Sequence, residues 1–177
     1  MIRYFAYGSA LSKRHVHEWA SEHGVDEAPF AAGVPAVLRG YELVFDVESR
    51  FWGGRVADLR PSDDAVVHGV LFELDDGALE AVRRKEGVPT GLSEEIEIEV
   101  QQGGASVAAK AYVGRPERRT TPGAPAPRLL AALIEGAIER GLPEPWISRL
   151  RSQGSTSGPS PADATTNRIR LGSPRKP

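Results

Sequence analysis

The sequence predicts an α+β domain whose mixed or antiparallel sheet is strongly curled and can form a small barrel with helices packed around it. Three observations carry this. Strand-like segments come from both halves of the chain, and helical periodicity appears singly between hairpins. With 177 residues, 40% of them hydrophobic, the chain has material for one substantial core. The regular βα alternation of a doubly wound parallel sheet is missing.

Residues 2–7 alternate apolar and aromatic types and stop at Gly8-Ser9, as a short buried strand ending in a turn does. Ser12 is placed to N-cap a helix running through Lys13, His15, Val16, Trp19 and Ala20 towards Gly24, with Val16, Trp19 and Ala20 at core spacing. His15 and His17 are two apart and point to different faces, so a regular helix cannot bring both to one metal. Solvated histidines are the simpler reading. Residues 25–37, rich in Ala, Pro and Gly, read as an irregular connection. Residues 41–46 have strand composition, followed by a loop with Ser49, Arg50, Phe51, Trp52 and Gly53-Gly54. Residues 55–60 and 66–74, separated by Pro61-Ser62-Asp63-Asp64, predict an antiparallel hairpin.

Asp75 and Asp76 are N-cap candidates for a helix carrying Leu79 and Val82, with Glu80, Arg83, Arg84 and Lys85 on its polar side. Three consecutive cations suit a helix C-terminus, where the macrodipole favours positive charge. The helix ends at Glu86, and Gly87-Val88-Pro89-Thr90-Gly91 turns the chain. Residues 94–100 then alternate strictly between an acidic and an apolar face. Gln102-Gly103-Gly104-Ala105 is a hairpin turn leading into a strand over 106–113. After a Pro/Arg/Thr loop over 114–127, residues 128–140 carry Leu129, Leu130, Leu133, Ile134, Ala137 and Ile138 on one helical face, with Gly141 past the end. A short last helix from 144 to about 152 is anchored by Trp146, Ile147 and Leu150. This gives about six strands. The domain is assigned to residues 1–152, and residues 153–177, Gly/Ser/Pro-rich and basic, are expected to be a disordered tail.

Composition removes several function classes. A formal net charge of −2 offers no electrostatic reason to expect nucleic acid or an anionic membrane as partner, and favours a small or zwitterionic ligand. The absence of cysteine excludes disulfides, thiolate metal sites and a Cys nucleophile. No apolar run approaches the length of a membrane span, and the first residues are too quickly interrupted for a signal-peptide core, so a cytoplasmic location is expected. P-loop, Rossmann, His-Glu-x-x-His and Gly-x-Ser-x-Gly patterns are all missing.

Two local features remain. Tyr7-Gly8-Ser9 runs from a strand end through Gly towards a helix, a geometry whose unpaired backbone N–H groups suit an anion or oxyanion. Glu86 places a carboxylate at an element boundary, beside Leu79, Val82 and Val88. A lone Glu there is ordinarily solvated, and its surroundings must decide otherwise.

Taken in order, several segments resemble the γ-glutamylcyclotransferase family. They are Tyr4-Phe5-Ala6-Tyr7-Gly8-Ser9, Trp52-Gly53-Gly54 with the strand to Leu59, and Val67-His68-Gly69-Val70-Leu71-Phe72-Glu73-Leu74. Leu79 through Glu86 to Gly91, Ala111-Tyr112-Val113 and Gly136 through Gly141-Leu142-Pro143 continue the series. The resemblance covers residues 2–152. It implies the barrel-like α+β fold and a cofactor-independent, metal-free intramolecular aminolysis. In that reaction the α-amino group of a γ-glutamyl amino acid attacks its own γ-carbonyl, giving 5-oxoproline and a free amino acid, within glutathione-related metabolism. It maps the catalytic acid and base onto Glu86 and the substrate cradle onto Tyr4, Phe5, Ala6, Tyr7, Gly8 and Ser9.

Tyr112 is either a further cavity wall or a core residue of its strand. An α-amino group with a pKa near 8 is mostly protonated at neutral pH, so a general base must take its proton, and burial would tune that base. The implied partner is a small-molecule γ-glutamyl substrate, with no nucleic acid and no membrane, and a homodimer is left open. Three positions depart from the family: Ala10 replaces an Asn, while Ser93 and Leu129 stand where tyrosines are expected. A γ-glutamyl amine or biosynthetic intermediate is therefore an alternative substrate, and a non-catalytic ligand-binding member of the fold is a second alternative.

Overall fold

Five strands close into a barrel in the computed structural model, which describes residues 1–154. They are β1 (Ile2–Ala6), β2 (Val34–Ser49), β3 (Gly54–Leu74), β4 (Ser93–Gln102) and β5 (Ala105–Gly114), in the order β1-β3-β2-β4-β5. Every ladder is antiparallel except β1 with β5, which run parallel and meet at Tyr4 and Lys110 to shut the barrel. The sheet is thus mixed and curled, as the sequence predicts.

Two strands are longer than expected. β2 begins at Val34, inside the segment read as irregular, because Val34 to Arg39 pair with Leu71 to Val66 of β3. The hairpin expected around Pro61-Ser62-Asp63-Asp64 is instead one 21-residue strand, so the strands number five rather than six. Arg39 pairs with Val66 and Tyr41 with Pro61, which leaves residues 62–65 as a bulge opposite Gly40, itself at φ 77°. At ~3.3 Å per residue a straight strand of this length would run about 70 Å, and the bulge bends it around the barrel. The same Pro and Asp residues would serve in a turn. Here both flanks find the same partner strand, and the chain does not reverse.

The helices follow their local signals. α1 (Lys13–His23) is capped by Ser12, whose Oγ accepts from the His15 N–H at 3.1 Å, and ends at Gly24 in the left-handed region. α2 (Asp76–Lys85) is capped by Asp75, whose Oδ1 accepts from the Ala78 N–H at 2.8 Å. α3 (Pro127–Glu139) lays Leu129, Leu133 and Ala137 into the core beside Phe5, Leu38, Leu59, Val67 and Phe72. It lies so close to the 3₁₀ turn Ser9–Leu11 that a Cβ on Gly136 would stand 2.4 Å from the backbone of Leu11 and Ser12. α4 (Glu144–Gln153) is anchored by Trp146, Ile147 and Leu150 as expected. The tail expected beyond it lies, from residue 155 on, outside the described residues. Among the described residues no helix is long and apolar enough to cross a membrane.

Candidate active site

β1 aims Tyr4 at the end of α2. Its phenol, fully covered, donates to Glu86 Oε1 at 3.0 Å across 82 residues of sequence. Glu86 is the C-cap of α2: its N–H reaches the Val82 carbonyl at 2.8 Å, and its own carbonyl accepts from Ser93 Oγ at 2.5 Å. Gly87 follows at φ 78°, where a Cβ would also press to 2.9 Å from that of Leu92, so this position requires glycine. The backbone of Glu86 is therefore clamped on both sides while its half-buried side chain faces inward.

That side chain borders a half-enclosed cavity of about 180 Å³. Of the residues proposed from sequence, Tyr4, Tyr7, Gly8, Ser9, Glu86 and Tyr112 line it together. Phe5 and Ala6 do not reach it. Strand alternation turns Phe5 away from Tyr4 into the core, and the methyl of Ala6 is completely covered. Tyr112 proves to be both cavity wall and core: it is buried, and its ring meets Tyr4 edge-on at 5.8 Å. A Cβ on Gly8 would meet nothing within 4 Å, so the chain there borders open space.

Hydrogen bonds hold the aromatic wall. Tyr7 donates to the Tyr112 carbonyl, and the Tyr112 hydroxyl donates to Glu95 Oε2 at 2.9 Å. Burial, and then the carboxylates of Glu86 and Asp58 respectively, push the Tyr4 and Tyr7 hydroxyls well above the ordinary phenol range. Both remain protonated donors at neutral pH. Burial also opposes the charge on Glu95, but bonds from Arg83, Lys110 and Tyr112 prevail and hold it at about 2. Behind the wall, the fully buried Asp58 accepts from the Gly114 N–H at 2.9 Å and from Arg119 Nε at 2.9 Å. This ties the start of the 114–127 loop to the barrel.

Several lining residues carried other readings in the sequence. Lys85, assigned to the helix macrodipole, turns inward, and its Nζ donates to Ser9 Oγ at 2.6 Å. Burial lowers its pKa, partly offset by neighbouring Glu86. Ser93 and Leu129, the two positions that depart from the expected tyrosines, both line the cavity. Phe51 and Trp52 cover one side from the β2–β3 connection, where Trp52 packs on His15 at 4.8 Å between ring centres. The Trp52-Gly53-Gly54 segment was the available signal for this wall. Among the described residues no cluster of three or more His, Asp or Glu side chains could hold a metal ion.

The model of the AIG2-like family matches residues 66–150, which run from the second half of β3 into α4 and include Glu86 and Tyr112. The human γ-glutamylcyclotransferase is 27% identical over 154 residues, 84% of this chain and 77% of that protein. The bovine one is 28% identical over 155 residues, again 84% and 77%. A solved γ-glutamyl cyclotransferase structure superposes with a TM-score of 0.73 at 26% identity, covering 96% of this chain and 94% of that one. The chain is thus similar to γ-glutamylcyclotransferases in sequence and in fold.

Proposed function

We propose that this protein is a γ-glutamylcyclotransferase that converts γ-glutamyl amino acids to 5-oxoproline and a free amino acid, with Glu86 as acid and base. One observation carries the reading: Glu86 and the Gly8-Ser9 turn, distant in sequence, border the same half-enclosed cavity. Tyr4 engages Oε1 of Glu86, which leaves Oε2 for the substrate ammonium. Glu86 takes one proton from the α-ammonium, and the freed nitrogen attacks the γ-carbonyl carbon to form the five-membered ring. Backbone N–H groups at Gly8-Ser9 receive the charge that develops on the carbonyl oxygen. The amide C–N bond then breaks as Glu86 returns the proton to the leaving nitrogen. The ring nitrogen then gives up its second proton through Glu86 to the released amine, which departs as an ammonium, so the protons balance and the chemistry consumes no nucleophilic side chain.

A second reading keeps the reaction and changes the leaving group. Ser93 and Leu129, which line the cavity where the resemblance leads one to expect tyrosines, favour it. The purified protein is to be assayed for 5-oxoproline and amine release with γ-glutamyl-alanine and a panel of γ-glutamyl amines. Turnover of the dipeptide supports the first reading, and turnover of amines alone supports the second. Tight binding without turnover of any compound would leave a ligand-binding member of the fold and defeat both.

A further inference from the structure

We propose that Lys85 binds the α-carboxylate of the γ-glutamyl group, so that Lys85 and Glu86 together form a socket for an α-amino-acid head. The inference rests on the cyclotransferase reading and names the residue that would select its substrate.

The three cations ending α2 have separate fates. Arg83 bonds to Glu95 through Nε at 3.0 Å, and Arg84 is exposed. Lys85 alone turns inward, half-buried, and makes no ion pair among the described residues. The helix dipole accounts for positive charge in the last turn but not for this direction, because a solvated cation satisfies it equally. An ammonium has three donors, and Ser9 Oγ takes one of them. Desolvating a charge without an opposite partner is unfavourable, and burial already pulls this ammonium towards its neutral form. A carboxylate ligand would complete its coordination.

The cavity narrows which carboxylate. Lys85 is the sole cation and Glu86 the sole anion among the side chains lining it. If Glu86 takes the substrate's α-ammonium, the group on the same carbon is the α-carboxylate. A cation one residue away is placed for that group. The carboxylate of the leaving amino acid lies beyond the scissile amide and departs with it, whereas the α-carboxylate is retained in 5-oxoproline.

The test compares three substrates with the wild-type protein, Lys85→Met and Lys85→Arg. They are γ-glutamyl-alanine, its analogue with the glutamyl α-carboxylate replaced by carboxamide, and γ-glutamyl-alaninamide. Calorimetric titration with 5-oxoproline and 2-pyrrolidinone, which lacks the carboxylate, runs in parallel. The wild type is expected to prefer the acid over the α-carboxamide about ten- to hundredfold in kcat/KM, the range of a hydrogen bond to a charged group. The difference should lie mainly in KM. In Lys85→Met the acid falls relative to the carboxamide by the same factor, so that the preference disappears, while Lys85→Arg keeps part of it.

An unchanged preference in Lys85→Met overturns the proposal while leaving the cyclotransferase reading standing. So does loss of discrimination against the alaninamide alone, which would assign Lys85 to the leaving group. If nothing turns over but 5-oxoproline binds better than 2-pyrrolidinone in a Lys85-dependent way, the socket stands and the reaction falls. Equal or absent binding of the two by the wild type, a comparison that needs no variant, overturns the socket.

Discussion

Replacing Glu86 by Gln changes one atom, the one that the proposed mechanism uses as the base. The amide oxygen of Gln can still accept from the Tyr4 hydroxyl, now 3.0 Å from Oε1, and the backbone clamp through Val82 and Ser93 is untouched. The cavity should persist while its base is lost. With an amine pKa near 8, about one substrate molecule in ten carries a free amine at pH 7. The missing base therefore accounts for roughly a tenfold loss through the substrate's own protonation. A larger loss comes from the absence of proton delivery to the leaving nitrogen. General acid and base catalysis contributes typically 10²- to 10⁴-fold, and kcat should fall by about that much with KM changed little. Residual activity should climb about tenfold per pH unit up to pH ~8, since the amine must then arrive already deprotonated. The assay is 5-oxoproline release from γ-glutamyl-alanine between pH 6 and 9, with the melting temperature as a control for folding. Undiminished 5-oxoproline production by the variant would refute the role given to Glu86.

Further outcomes follow from neighbouring groups. Glu95, held at about 2 against an ordinary 4.5, contributes up to about 3 kcal/mol above pH 5, lost as pH falls towards 2. Glu95→Gln should lose most of that in chemical denaturation at pH 7 and approach the wild type near pH 2. His15, packed on Trp52, is brought to about 4 by burial first and then by the nearby charges of Lys85, Arg14 and Arg128. NMR of its ring nitrogens should find it neutral down to about pH 4. Because the unfolded chain binds that proton from pH 6.5 downward, stability should fall between pH 6.5 and 4, and His15→Gln should remove this part of the dependence. Gly136→Ala puts a methyl 2.4 Å from the backbone of Leu11 and Ser12, and should destabilise the fold by about 1–3 kcal/mol. Since the displaced 3₁₀ turn begins at Ser9, KM for the γ-glutamyl substrate should rise as well.

What could be read from residues alone was local in origin. Ser12 and Asp75 cap their helices through bonds that span three residues, and Gly103-Gly104, at φ 56° and 88°, turns the β4–β5 hairpin by itself. Strict alternation in 94–100 needs no partner to declare a strand, and the position of Glu86 at the end of α2 follows from the same short-range signals. Partners distant in sequence decided the rest. Pro61-Ser62-Asp63-Asp64 suits a turn or a bulge equally, and only β2, lying alongside both flanks, selects the bulge. Lys85 has the composition of a solvated helix end, and it turns inward because Ser9, 76 residues away, presents an acceptor there. Ser93 and Leu129 come to the cavity because barrel closure brings the start of β4 and the start of α3 to the mouth beside β1. Capping and alternation are energies between neighbours along the chain, whereas ladder choice and the direction of a side chain at an element's end are energies between segments that meet only once the barrel has closed.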